Sequence, residues 1–254
     1  MNSTMINRRR KAFYTVLAVI FWLFIWEVIA RVTNLRFLIP TLFDIGKSFS
    51  LLICTGEFYL AILGSLGRVL AGLMIGSIIG ILLAFICVKV EIFNSVITPV
   101  MSLFKATPVA SFIIILWFFF DKDIISILIS LMMVAPILWD SVKEALEVKN
   151  KEMNEVAEIF ELSKEKKFKF LTIPTLLKFT LPSLISASAL AWKAGIAAEV
   201  ITLAKQSIGG HISDAKNALD GSMMFAWTLT VVALSVIIEK CIKILLKRIS
   251  LKWG

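Results

Sequence analysis

The sequence predicts an all-α integral membrane protein of about six membrane-crossing helices, with both termini in the cytoplasm. Three observations carry that prediction. Apolar residues make up 59% of the 254-residue chain, and the mean hydropathy of +0.90 lies above the range of soluble domains. Charged residues are 18% of the chain and gather between apolar runs long enough to span a bilayer as helices. Lys and Arg are also distributed unevenly along the chain: 18 of the 27 fall on alternate connecting segments that include both termini, and 6 on the others, which the positive-inside rule reads as cytoplasmic and external sides. A transmembrane β-barrel would show alternating segments of roughly 10 residues, and none is present. The net charge of +9 follows from the same rule and calls for no nucleic-acid partner.

The first apolar run covers about 12–30 and follows Arg8, Arg9, Arg10 and Lys11. It continues past Glu27 without a small-residue cleavage pattern, so it reads as a retained helix rather than a signal peptide. The second, about 63–88, has no charge between Val69 and Val88. The third, about 92–119, is interrupted by Pro99, Lys105 and Pro108. The fourth is about 124–144 and contains Pro136; the fifth is about 182–204 and carries Lys193 and Glu199. The sixth is about 222–246, with charges only near its inner end. Residues 32–60 and 205–221 then lie outside. In the second of these, His211 has no neighbouring ligand type and reads as a solvated or interfacial side chain, not a metal site. Cys54, Cys87 and Cys241 have no metal or redox spacing, and Cys87 and Cys241 read as core thiols.

Three features could carry function. Gly72, Gly76 and Gly80 recur at spacing four, which smooths one helix face for close approach of another. Ordinary packing and a moving seam both need that face. Lys193 and Glu199 sit inside the fifth run, where a charge needs water or a partner. They stand about 240° apart around a helix and cannot pair with each other there. Arg68 and Lys105, in runs two and three, are available cations, so these four residues form either structural ion pairs or the lining of a solute path. Third, residues 150–182 form the largest polar island of the chain. Met153, Val156, Ala157 and Phe160 make an apolar stripe at helical spacing, with Glu155, Glu158 and Glu161 largely off it and Lys164, Lys166, Lys167 and Lys169 beyond. Such a helix either adheres to an anionic leaflet or docks in a groove of a cytoplasmic protein. Pro174 and Pro182 bracket the return to the membrane.

Other chemistry is missing from the sequence. It has no phosphate-binding G-x-x-x-x-G-K-[ST] pattern, no metal-ligand cluster, and no nucleophile with a base, so catalysis is not expected of this chain.

The island resembles the cytoplasmic EAA loop of ATP-binding-cassette importer permeases. Glu155-Val156-Ala157 stand for the triplet, and Pro174 follows nineteen residues after Glu155. Val156 takes the place of the middle Ala, and Glu161 stands where the loop's Gly is expected. Further stretches are similar to the nitrate/sulfonate/taurine branch: Ser65-Leu66-Gly67-Arg68-Val69-Leu70-Ala71-Gly72, Ala191-Trp192-Lys193 followed by Ala197-Ala198-Glu199-Val200-Ile201, and Phe225-Ala226-Trp227-Thr228.

The resemblance implies a type I importer permease in a prokaryotic plasma membrane, organised in three parts. Residues 1–57 are an N-terminal helix and external loop, 58–238 the permease core with a coupling loop at 150–169, and 239–254 a basic cytoplasmic tail. It implies ATP-binding-cassette ATPase subunits as partners, with ATP and Mg bound there and no cofactor in this chain. It also implies a second permease subunit, expected to be a copy of this chain, a solute-binding protein outside, and surrounding lipid. Met153, Glu155, Val156, Ala157, Glu158, Phe160 and Glu161 would contact the ATPase; Arg68, Lys105, Lys193 and Glu199 would line the path. The implied solute is a small anion such as a sulfonate, taurine or nitrate. A vitamin precursor is the alternative within the family, and a channel or scaffold without an ATPase is the alternative outside it.

Overall fold

A computed structural model describes the backbone of residues 2–33, 35, 37–159 and 163–253, with the side chains of 2–9, 11, 12, 148–159, 247 and 249–253 excepted. All regular structure among the described residues is helical: α1 (Asn2–Thr33), α2 (Leu42–Leu52), α3 (Gly56–Lys89), α4 (Glu91–Ala106), α5 (Val109–Trp117), α6 (Lys122–Ile159), α7 (Lys164–Lys167), a π-helical turn at Phe168–Thr172, α8 (Ile173–Thr202), α9 (Ile208–Asn217) and α10 (Gly221–Trp253). The chain forms two compact units, Met1–Tyr59 with His211–Leu229, and Leu60–Gly210 with Thr230–Gly254.

Four helical stretches are long and apolar enough to cross a membrane: Phe13–Thr33, Gly56–Lys89, Lys122–Glu147 and Lys164–Thr202. The bent pair α4 and α5, which meet at 103°, would make a fifth crossing. The sixth expected run lies within α10, which is continuous through it but is not among the stretches that meet the length and hydropathy test.

In the first unit, α2 starts with Thr41 as its N-cap, whose hydroxyl accepts from the Asp44 amide at 3.2 Å, a bond that satisfies one of the helix's free donors. Glu27 of α1 accepts from the Leu42 amide at 3.0 Å and from Arg31 at 2.7 Å. Trp26 donates to the Pro40 carbonyl at 3.1 Å and meets Phe225 edge to face at 5.2 Å. His211 stacks flat on Trp227, with centroids 4.7 Å apart and planes 2° from parallel. Among the described residues no group of three or more His, Cys, Asp or Glu side chains could hold a metal.

In the second unit, α3, α6 and α8 form the centre. A Cβ added at Gly72 would strike the Ile127 carbonyl; at Gly76 it would lie 2.8 Å from the Leu131 carbonyl, and at Gly80 2.5 Å from that of Ala135. Both series ascend, so α3 and α6 run parallel. Ser126 donates to the Gly195 carbonyl at 3.1 Å and Ser130 to that of Ala191 at 3.3 Å, so α8 runs antiparallel to α6. Parallel α3 and α6 require residues 90–121 to carry the chain from one end of the bundle to the other. The bent pair is therefore a crossing, not a re-entrant loop. It breaks because Thr107 precedes Pro108 and is held extended, at ψ 134. Ile113 of α5 is then fully buried with Ile125, Ile129, Met132, Ala194 and Ala198.

Charged residues mark both ends of this bundle. Arg68 to Lys89 on α3, Asp123 to Lys143 on α6 and Glu199 to Lys178 on α8 each span about 30 Å at 1.5 Å per residue, the thickness of a hydrocarbon core. Past the Lys89 end, α6 continues without a break to Ile159, roughly 24 Å further. The fourth apolar run and the first part of the polar island are thus one helix, not two. The return arm is also longer than expected: the fifth helix does not begin near Pro182 but at Ile173, with helical structure back to Lys164. Pro182 removes the donor that would bond the Lys178 carbonyl, and that carbonyl sits at the bundle end, where polar groups can solvate it. Cys87 is buried, as expected, and accepts from Trp139 at 3.4 Å. Cys241 is exposed, contrary to the core reading, because an apolar neighbourhood in sequence does not say which side of a helix faces the bundle.

Candidate functional site

The expected site residues separate into four groups. At the Arg68 end, Arg68 and Glu199 come together. Arg68 Nη1 lies 3.4 Å from Glu199 Oε1, while its Nη2 donates to Asp123 Oδ1 at 2.7 Å and to the Lys205 carbonyl at 3.0 Å. Glu199 is 0% exposed. Its other oxygen accepts from Ser65 Oγ at 2.6 Å and from the Gly209 amide at 3.3 Å. Ser65 Oγ in turn accepts from the Ile208 amide at 2.9 Å. The buried carboxylate therefore has a cation and two donors, which is what keeps a charge tolerable away from water. The helical spacing argument holds: Glu199 faces inward to α3, and Lys193 does not reach it.

Lys105 forms the second group, near the opposite end. Its ammonium lies 2.8 Å from Asp140 Oδ2, with both side chains about half exposed. Trp139 is flanked by two cations, Lys143 at 4.9 Å and Lys105 at 5.9 Å from its ring centroid, and Lys143 also donates to Asn94 at 2.9 Å.

Lys193 stands apart from these groups, its charge acting at longer range on Glu239 of α10. It makes no hydrogen bond or ion pair among the described residues and lies on the exposed face of α8. That face also presents Lys178, Pro182, Ser186 and Leu190, spaced to form one stripe along the helix. The exposed face of α3 has a different composition: Leu70, Met74, Ile78, Leu82 and Ile86. Aliphatic side chains suit lipid. A stripe with two lysines and a serine across the same depth does not.

The fourth group is the island. Met153, Glu155, Val156, Ala157 and Glu158 lie on the α6 backbone, but their side chains are outside the described residues, as are Phe160 and Glu161 entirely. On the returning arm, Ser163 caps α7 by accepting from the Lys166 amide at 3.4 Å. Phe168 and Phe170 are more than half exposed.

Sequence reasoning overlooked Ser65, Asp123, Asp140 and the serines of α6. Ser126 and Ser130 carried a usable signal: small polar residues four apart, the spacing that made the glycines of α3 conspicuous. Ser65 opens a stretch that resembles the family, but neither it nor Asp123 carried a signal for these bonds, since their partners lie 134 and 55 residues away.

The glycine seam makes a direct prediction. Gly76→Leu should force α3 away from the Leu131 carbonyl, at a cost of about 1–3 kcal/mol for overpacking. Reduced thermal stability of the purified protein, against little change for Gly67→Leu at a position with open space, is the expected readout.

These features define a multi-pass helical membrane protein with a closely packed three-helix centre and one polar exposed face. Residues 72–251 match the family of binding-protein-dependent transport system inner membrane components, and the chain belongs to that family. No curated protein matches the chain. It is thus a permease subunit of the transporter class that the sequence resemblance implied, and permeases of this kind are generally not enzymes.

Proposed function

We propose that this chain is the membrane subunit of an ATP-driven importer for a small anion, of the nitrate/sulfonate/taurine type, in a prokaryotic plasma membrane. Two copies form the path. ATPase subunits, which bind ATP and Mg, attach at the cytoplasmic end, and an external binding protein delivers the solute.

The observation that carries this reading is the polar stripe of α8. Lys178, Pro182, Ser186, Leu190 and Lys193 cross the bilayer on a face that the single chain leaves uncovered. A second copy packing beside it would enclose a path with a cation about 9 Å inside its Glu199 end, suited to passing attraction of an anion. Arg68 and Lys105 are held in ion pairs with carboxylates, whereas Lys193 makes none and Glu239, the carboxylate its charge reaches, is paired with Lys243, which makes Lys193 the path residue of greatest effect among the four.

The second support is length. The α6 extension and the arm from Lys164 to Lys178 reach roughly 20 Å or more beyond the bundle end. The charge rule places that end in the cytoplasm, beyond the reach of lipid and within reach of a soluble motor.

The test is uptake in cells carrying the chain with its candidate ATPase and binding protein. Lys193→Ala should lower uptake about tenfold while the ATPase still co-purifies. Unchanged uptake would remove Lys193 from the path, and failure of any ATP-binding-cassette ATPase to co-purify with the unaltered chain would remove the importer reading itself.

A further inference from the structure

The segment between α8 and α9 has features that packing alone does not explain. Leu203 ends α8 in the left-handed region, at φ 54 and ψ 49, and Gln206 follows at φ 46. Neither is glycine, and each is held in a conformation that L residues avoid. Such strain persists only where the surroundings impose it, and here they do. Arg68 grips the Lys205 carbonyl at 3.0 Å, Ser65 holds the Ile208 amide at 2.9 Å, and Glu199 holds the Gly209 amide at 3.3 Å.

The fit has no slack. A Cβ at Gly64 would sit 2.5 Å from the Gln206 carbonyl, one at Gly209 would strike the Glu199 Cβ, and one at Gly210 the Ala204 carbonyl. Ser207, in the connection, and Ile208, the first residue of α9, are both fully buried. Ser207 closes the turn on itself, donating to the Ala204 carbonyl and accepting from the Gly210 amide, both at 2.8 Å.

We infer that Leu203–Gly210 is a sprung closure over the external end of the α3–α6–α8 bundle, latched by Ser65, Arg68 and Glu199 and released during transport. The strain stored at Leu203 and Gln206 favours opening. The two hydrogen bonds from α3, those of Arg68 and Ser65, oppose it, so a small shift of α3 against α8 breaks both together, while the bond from Glu199 of α8 stays with the closure. Ser65 is the positioning residue: it is the atom that Glu199 of α8 and Ile208 of the closure share, and it touches no solute. The release step rests on the importer reading; the latch does not.

The experiment uses Ser207→Cys in a Cys54→Ser, Cys241→Ser background, with the permease and its ATPase purified together in lipid nanodiscs. A soluble maleimide is the probe. In the resting complex, labelling of position 207 should be slow. Adding ATP with orthovanadate should raise it about tenfold, and Ser65→Ala should raise it similarly without nucleotide, while the amount of folded complex is unchanged. If Ser65→Ala leaves the labelling at its resting rate, the latch is wrong whatever nucleotide does. If ATP is hydrolysed normally and labelling still does not rise, the closure is static and the release is wrong. A complex with no ATPase activity strikes the importer reading instead, and the Ser65→Ala comparison still decides the latch.

Discussion

Val156→Asp should abolish uptake while leaving the protein in the membrane at its normal abundance. Of the apolar stripe, Met153, Val156 and Ala157 lie on the α6 backbone past the bundle end and Phe160 lies outside the described residues, so a carboxylate at position 156 is expected to disturb neither insertion nor the bundle core. It does fall within the segment that the importer proposal gives to the motor. Truncation of a central apolar anchor in such a contact costs about 2–4 kcal/mol, and burial of an unpaired charge adds to this. An ATPase affinity lowered by at least roughly 100-fold follows, since 1.4 kcal/mol is tenfold. The neighbouring change Glu155→Gln, off the stripe, should cost far less. Quantitative pull-down of the ATPase, read beside whole-cell uptake and membrane abundance, checks both. Normal uptake by Val156→Asp at normal abundance would dissociate this stripe from the motor.

Arg68→Met should be the most destabilising single change in the second unit. It removes the cation that, among the described residues, pairs with the wholly buried Glu199 carboxylate. Breaking one side of a buried pair costs about 3–5 kcal/mol, because the remaining charge is left without compensation. For a chain of this size that lowers the melting temperature by roughly 10 °C. Arg68→Met combined with Glu199→Gln should recover part of the loss, because a neutral amide in the same pocket needs no counter-charge while Ser65 and Gly209 still donate to its oxygen. A double-mutant cycle in detergent measures the coupling. If the double variant is no more stable than Arg68→Met alone, the contribution of Arg68 lies in its bonds to Asp123 and Lys205, and the ion pair with Glu199 is not what stabilises the site.

Much of this molecule is legible in its amino-acid order. Runs of some 20 apolar residues fit neither a soluble domain nor a barrel, so the helical membrane class follows directly. The spacing of Gly72, Gly76 and Gly80 announces a close helix contact because a helix repeats nearly every four residues. The order of motifs from Ser65 to Trp227 points to the permease family that the match over residues 72–251 establishes.

The boundaries are less legible. Pro182 looks like a helix start, yet α8 passes through it, because local propensity yields where the freed carbonyl can be solvated. The third apolar run carries three interruptions, Pro99, Lys105 and Pro108, and the sequence does not say which of them turns it; the break falls at Thr107 and Pro108, by 103°.

Composition and periodicity are properties of single helices, and they suffice to say what each helix is: apolar, membrane-crossing, and smooth or charged on a given face. Pairings are properties of two helices at a distance. That Arg68 meets Glu199, that Lys105 meets Asp140, and that Lys193 is left facing outward all depend on rotation and register between helices. Those are set by side-chain packing across the bundle, and nothing along one stretch of sequence encodes them locally.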